Sequence, residues 1–271
     1  MEINDLKQLT KKIKLEVLEM IHRAGSGHLG SSFSTAEMLV ALYFSGFLRL
    51  DPKKPNWDQK DYFLLSNGHA CPTLYAILAY KGFFPTEDLQ KFRQIGSNLE
   101  GHPKKNSLPG IEISSGSLGM GLSQGIGIAL GLRLKNKNNK VVVMMSDGEQ
   151  QEGAIWEAVM AASHYRLKNL MAIIDRNGTQ IGGFTEKQLA LEPLKKKYES
   201  FGWQVIELDG HNFGQILKVL NKKLKDRPTV LISHTIGCRG ISFMEGKANV
   251  HHPKVDDVFY QKALQELEKD G

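Results

Sequence analysis

The sequence predicts a doubly wound α/β domain, a mostly parallel sheet flanked by helices. Three observations carry the prediction. Short apolar runs, each closed by a polar or glycine-containing turn, alternate with segments of helical periodicity in the second half of the chain. The run Val141-Val142-Val143-Met144-Met145 is apolar without alternation, as a parallel strand covered on both faces requires. Polar and glycine residues collect where these runs end, at the edge where open parallel sheets bind their ligands.

The elements follow in order. Leu6, Leu9, Ile13, Val17, Met20 and Ile21 recur at three- and four-residue steps, so residues 4–24 form an amphipathic helix. A glycine-rich break follows at Gly25–Gly30, and Thr35 is positioned to cap a helix from Ala36 to Phe44. Tyr62–Leu65 is a short strand ending at Ser66-Asn67-Gly68-His69. A helix from Cys71 to Tyr80 tolerates Pro72 in its first turn. Residues 96–116 have the composition of a loop. After the strand at 141–145 come a helix from Gly153 to Tyr165 and strands at Leu170–Ile174, Gln204–Leu208 and Thr229–Ser233. A charged helix, Val255 to Lys269, closes the chain. With no repeat, low-complexity tract or linker, residues 1–271 read as a single domain.

Composition excludes several function classes. An apolar share of 41% is ample for a core, so disorder is not the main state. The net charge of +6 is spread over scattered lysines without interleaved aromatics. That pattern favours anionic small molecules over nucleic acid. Cys71 and Cys238 have neither zinc nor disulfide spacing. No apolar run nears the ~20 residues of a membrane span. The charged opening (Glu2, Asp5, Lys7) lacks the apolar stretch of a secretory leader, and the expected compartment is the cytoplasm.

The chemistry concentrates between Ser146 and Gly183. Asp147-Gly148 closes one strand and Asn177 the next, 30 positions later, an interval that fits one loop, one crossover helix and one strand. A carboxylate and an amide oxygen then sit on adjacent strand ends, a hard donor pair suited to Mg²⁺. Gly148 lets backbone approach a ligand closely. Alone the pair is weak, because Asp-Gly is also a common turn.

Five segments taken together resemble the transketolase family: Ser26-Gly27-His28-Leu29-Gly30, Leu65-Ser66-Asn67-Gly68-His69-Ala70, Glu100-Gly101-His102-Pro103, Gly116-Ser117-Leu118-Gly119-Met120-Gly121, and the Asp147-Gly148 to Asn177 interval. The likeness runs from about Ile21 to His252. It departs at Ser146, where the family's cofactor motif has glycine, and at His252, where many members have glycine. Glu100-Gly101-His102-Pro103 favours transketolase over the deoxyxylulose-phosphate synthases.

The resemblance implies a thiamine-diphosphate-binding fold of the kind that holds the diphosphate end, with thiamine diphosphate and Mg²⁺ as cofactors. It implies that Asp147, the Asn177 side chain and the Thr179 carbonyl hold the metal. His69 and His251 would lie between diphosphate and substrate, and His28 and His102 would meet the sugar hydroxyls. Gly116, Leu118, Gly148 and Ile181 would line the cofactor, Leu118 and Ile181 by apolar packing. Imidazoles suit the proton work, so His28, His69, His102 and His251 are the candidate catalytic residues. His22 and His164 fall in helices and read as structural, while His211 and His234 stay open.

The implied activity is two-carbon ketol transfer from a ketose phosphate to an aldose. The family's pyrimidine-binding and C-terminal domains are not found in these 271 residues, so a second chain is expected to supply them. Glu152 would then meet the activating glutamate at that interface. The expected assembly is a heterotetramer of two copies of each subunit. Two alternatives compete. A ketoacid dehydrogenase component is disfavoured by the three loop histidines, His28, His69 and His102. A non-catalytic subunit would need neither Asp147 nor Asn177.

Overall fold

A computed structural model describes residues 1–222 and 226–269. Its helices are α1 (Ile3–Ala24), α2 (Leu29–Ser34), α3 (Ala36–Phe44), α4 (Cys71–Lys81), α5 (Gly121–Leu134), α6 (Gly153–His164), α7 (Thr185–Gln188), α8 (Leu194–Ser200), α9 (Phe213–Leu220) and α10 (Asp257–Lys269). Its strands are β1 (Tyr62–Leu65), β2 (Val141–Ser146), β3 (Leu170–Arg176), β4 (Thr179–Gln180), β5 (Gly183–Phe184), β6 (Gln204–Asp209) and β7 (Thr229–His234). Among the described residues, five strands form one parallel sheet in the order β1-β2-β3-β7-β6, and β4 and β5 make a small antiparallel hairpin.

The unbroken apolar run of β2 is explained by two cores. Val142 and Met144 face one side, packed with α1, α3, α4 and α9, while Val141, Val143 and Met145 face the other, packed with α5, α6 and α8. Period-two geometry sends neighbours to opposite faces, and here both faces are covered. Every residue of β2 is buried. Burial at roughly 25 cal/mol per Å² of apolar surface makes this layered packing the main force holding the fold.

Chain order sets where ligands can meet the sheet. β1, β2 and β3 lie side by side, whereas β6 takes the far edge and β7 returns between β6 and β3. The chain advances in one direction from β1 through β3 to β6 and reverses only from β6 back to β7. Open parallel sheets receive ligands in the crevice beyond the carboxyl ends of their strands. Asp147 follows β2 directly, and Arg176 ends β3.

The predicted elements at 4–24, 36–44, 62–65 and 71–80 are present within one residue at each end. Those at 141, 153, 170, 204 and 229 start where expected, although β3 runs two residues further than its apolar core. α10 begins at Asp257 rather than Val255, because Val255 is buried and its carbonyl lies 3.2 Å from His22 Nδ1. Thr35 does not cap α3 with its side chain; its hydroxyl instead donates to the Ser31 carbonyl at 2.8 Å. The glycine-rich break is also shorter than expected, since Leu29–Ser34 coils into α2 with every residue buried. Gly25 ends α1 in the left-handed region (φ 65°), donating its N–H to the His22 carbonyl.

Candidate active site

Asp147 is the most constrained residue at the sheet edge. Its side chain is fully buried. Oδ1 accepts from the Gly148 N–H at 2.8 Å, and Oδ2 accepts from the Gly178 N–H at 2.6 Å and Arg176 Nη1 at 3.0 Å. Burial, reinforced by the neighbouring Asp175 carboxylate, pushes the Asp147 acid up to about 7 despite those donors. Asp175 is itself raised by burial, although Ser34, Thr235 and Asn177 donate to it.

The turn after β3 brings the other candidate metal residues alongside. Asn177 Oδ1 accepts from the Thr179 N–H at 2.9 Å and from its hydroxyl at 2.8 Å, while Nδ2 donates to Asp175 Oδ2 at 2.9 Å. Gly178 takes φ 76°, which turns the chain so that its N–H meets Asp147. The Asp147 carboxylate, just past β2, is thus tied through the Gly178 N–H to the turn after β3 that holds the Asn177 amide oxygen and Thr179. Among the described residues no group of three or more His, Cys, Asp or Glu side chains could hold a metal. A hard oxygen set of the kind Mg²⁺ uses needs no such group.

A cavity of about 300 Å³ opens over this edge. Thr179, Gly148, Glu152, Leu118 and Gly116 line it on one side, and His28, His69, His102 and His251 on the other. The imidazoles form one cluster: His28 stands 5.2 Å from His69, 6.0 Å from His102 and 5.2 Å from His251 between ring centroids, and His69 lies 5.0 Å from His251. His252 is exposed and joins them 4.9 Å from His28. Burial is the first cause that lowers all four lining imidazoles, and proximity to one another or to Arg93 adds to it. His28 falls to about 3, His251 to about 4, His69 well below its usual value, and His102 more modestly. Lowered in this way, these rings are neutral near pH 7.

The chemistry of this donor set fits a bound diphosphate with its metal. A buried carboxylate raised to about 7 is one that a cation would stabilise. His251 Nδ1 is buried with no hydrogen-bond partner, as is the Ser115 hydroxyl beside the Gly116 loop. A Cβ added at Gly148 would meet Gln180 Oε1 at 2.8 Å and Gln180 Cβ at 3.2 Å, so a side chain there would have to displace Gln180.

Nearly every expected site residue faces this cavity. Asp147 and Asn177 are not among its lining residues; Asp147 adjoins it through Gly148 and through the Gly178 N–H, next to Thr179. Ile181 lines the rim yet is 85% exposed, so its apolar packing surface is uncovered within this chain. Glu152 is exposed at the same rim. His211 resolves as structural: it accepts the Ile236 N–H on Nε2 at 2.9 Å, which leaves Nδ1 as donor to Glu37. His234 pairs with Glu207 at 3.2 Å and is half exposed. His22 stacks on Tyr260.

Sequence reasoning missed Glu149 and Arg176. Glu149 is buried and accepts from the Ser66 hydroxyl, the Gly119 N–H at 2.9 Å and the Ser146 N–H at 3.2 Å. It thereby fastens the Gly116–Gly121 loop to the ends of β1 and β2. Its partners lie up to 83 positions away in the chain, so no local spacing marks it.

Comparison with known proteins agrees with this geometry. Residues 6–265 match the family described as transketolase, thiamine diphosphate binding domain, and the chain belongs to the transketolase family. It is 40% identical to the 6-deoxy-6-sulfo-D-fructose transketolase subunit SqwG of Clostridium sp. (strain MSTE9), over 98% of both chains. It is 38% identical to one of the subunits of apulose-4-phosphate transketolase from Phocaeicola vulgatus, over 98% of this chain and 95% of that one. The crystal structure of transketolase from Campylobacter jejuni superposes with a TM-score of 0.92 at 29% identity. That match covers 99% of this chain but 43% of the Campylobacter chain.

Proposed function

We propose that this chain is the thiamine-diphosphate-binding subunit of a split transketolase, acting as one domain and active only with a partner chain. The observation that carries the reading is a cavity lined both by four clustered imidazoles and by Gly148 and Thr179, which Asp147 adjoins through the Gly178 N–H. Relatives of nearly equal length that are named transketolase subunits support the split form, as does the 43% coverage of a full-length transketolase.

In this reading Asp147, the Asn177 amide oxygen and the Thr179 carbonyl hold Mg²⁺, and Gly148 gives the diphosphate close access to backbone. Bound thiamine diphosphate supplies a carbon nucleophile and an electron sink for carbon–carbon cleavage. The residues of this chain bind, orient and move protons. His69 is fixed by the Ser31 hydroxyl, 3.1 Å from its Nε2, and together with His251 faces the diphosphate. Both rings, kept neutral by burial, would be placed to donate a hydrogen bond to an anionic group held there. His28 and His102 hold or release the protons of sugar hydroxyls, at the mouth of the cluster. Gly116 and Leu118 shape the wall, and Ile181 packs on the cofactor's thiazole end.

The exposed rim at Ile181 and Glu152 is where the partner closes the site. The partner brings the pyrimidine-binding domain, in a heterotetramer of two copies of each subunit. The acceptor and donor are sugars with an anionic terminus, in keeping with the net charge of +6. A sulfonate in one relative's named substrate and a phosphate in another's fit that class. The chain works in the cytoplasm; among the described residues no helix is long and apolar enough to cross a membrane.

The test is to assay two-carbon transfer from xylulose 5-phosphate, with thiamine diphosphate and Mg²⁺, for the chain alone and mixed with its partner. Activity confined to the mixture, and lost in Asp147→Ala, is the expected result. Full activity of the chain alone would overturn the split reading. Loss of cofactor binding in every mixture would overturn the site.

A further inference from the structure

A buried carboxylate is costly unless it is paired, hydrogen-bonded or protonated, and Asp147 has a charged partner within the chain. Among the described residues the cationic side chain bonded to it is Arg176, 3.0 Å from Oδ2. The Arg176 side chain is only 9% exposed, and both of its terminal nitrogens are engaged beyond that contact. Nη1 also donates to Thr185 Oγ1 at 2.8 Å, and Nη2 donates to Glu186 Oε1 at 2.6 Å and Glu192 Oε1 at 3.3 Å. Those two glutamates in turn organise the segment beyond β5. Glu186 accepts the Leu191 N–H at 3.2 Å, and Glu192 accepts the Leu194 N–H at 2.8 Å.

One planar fork therefore joins the end of β2 to residues 178–194, the stretch that carries Thr179 and Ile181 at the cavity wall. A lysine has the charge but not the geometry to reach all four partners. We propose that Arg176 is a positioning residue: its guanidinium is the resident counter-charge of Asp147 and locks residues 178–194 against it. The metal- and diphosphate-binding edge is then assembled before any cation arrives. That order of assembly rests on the metal reading above, while the counter-charge and the lock do not.

The experiment is a double-mutant cycle on the full chain in EDTA, with Arg176→Gln, Asp147→Asn and the pair, followed by urea unfolding. R176Q should destabilise the metal-free chain, and adding D147N should recover at least about tenfold of that loss in the unfolding equilibrium, because it removes the orphaned charge. Additive effects would overturn the counter-charge. Limited proteolysis should cut within 178–194 faster in R176Q than in the wild type, and unchanged cleavage would overturn the lock. Arg176→Lys should keep the coupling to Asp147 yet lose the protection, and it serves if R176Q does not fold.

Adding Mg²⁺ with thiamine diphosphate, with the partner subunit present, should raise Tm less in R176Q than in the wild type. In the variant, binding must also order residues 178–194, which lowers apparent affinity. Equal rises would overturn positioning in favour of a plain loop staple. A wild type that shows no rise would instead overturn the metal reading, and the metal-free cycle would still decide the counter-charge.

Discussion

Two buried carboxylates, Glu37 and Asp147, show what separates a structural charge from a poised one. Glu37 on α3 is buried, and two partners compensate it. Lys14 Nζ donates to Oε1 at 2.7 Å and His211 Nδ1 to Oε2 at 3.1 Å. Burial alone would raise Glu37, but the Lys14 charge and the His211 hydrogen bond together win and lower it to about 2. Asp147 is equally buried with a single cationic partner, and burial wins there, at about 7. The same residue chemistry gives opposite outcomes because Glu37 is compensated by Lys14 and His211, whereas Asp147 has one cationic partner and the Asp175 carboxylate beside it. The four cavity imidazoles belong with Asp147: they crowd together, neutral and under-bonded, where a core would have paired them.

The comparison breaks first at the imidazoles. His28→Ala and His251→Ala should each lower kcat/KM of the reconstituted enzyme by about 10²- to 10⁴-fold, the usual worth of a proton-handling group. Stability should be kept, because these rings satisfy few bonds in the fold. Steady-state kinetics beside a urea melt checks both halves. A variant that melts early while its folded fraction keeps full activity would place that histidine with Glu37.

Glu37→Gln tests the other side. It strands the Lys14 ammonium, whose side chain is 8% exposed, with no carboxylate. The cost should be about 3–5 kcal/mol of unfolding free energy. Cofactor affinity of the surviving folded protein should not move. A loss below about 1 kcal/mol would mean that the Lys14–Glu37–His211 cluster is less closed than its distances indicate.

Acid reaches the two groups in different pH windows. A depressed imidazole contributes stability that is complete above its unfolded value, near 6.5, and is lost as pH falls through the folded values of about 4 for His251 and 3 for His28. Glu37 obeys the same sign in a lower window, from 4.5 down to about 2. The imidazoles should thus make stability fall below about pH 6.5, while Asp147, raised to about 7, acts with the opposite sign down to 3.8, so their share is read as a difference between two proteins. In the His28→Ala, His251→Ala double variant the acid loss between about pH 6.5 and 4 should be smaller than in the wild type, with His69 and His102 keeping their part. An equal loss in both proteins would show that His28 and His251 do not carry it.

How much of this is legible before folding follows the same division. Strands and amphipathic helices are readable because periodicity is local: the apolar run of β2 and the three- and four-residue steps of α1 each declare their own surroundings. The cavity histidines are readable through the short glycine-flanked strings around them. α2 reads as a break, since a helix buried on every side shows no amphipathic signal, and Thr35 reads as a cap although its hydroxyl goes to Ser31. Arg176 and Glu149 stay invisible for a further reason. Their roles lie in partners 29 and 83 positions away, and only the juxtaposition of strand ends brings those partners together. The closed cluster of Lys14, Glu37 and His211 is hidden the same way.

The smallest expected effect sharpens the boundary between the two kinds of region. Gly116 sits at φ 139°, a region that side chains avoid, and a Cβ there would stand 3.3 Å from the His102 ring. Gly116→Ala should cost about 1–3 kcal/mol if the loop holds its shape. The loop has reason to hold: Glu149 binds the Gly119 N–H from beneath, and that carboxylate is itself buried. His102 has less reason, being only half-buried with its ring facing the cavity. The strain should therefore displace the imidazole rather than the backbone. Activity should fall further than a loss of about 1–3 kcal/mol in stability explains, and the His102 ring resonances should shift while Gly119 amide exchange stays slow. Fast exchange at Gly119 with unshifted ring resonances would reverse the assignment, making the loop the soft element and His102 the fixed one.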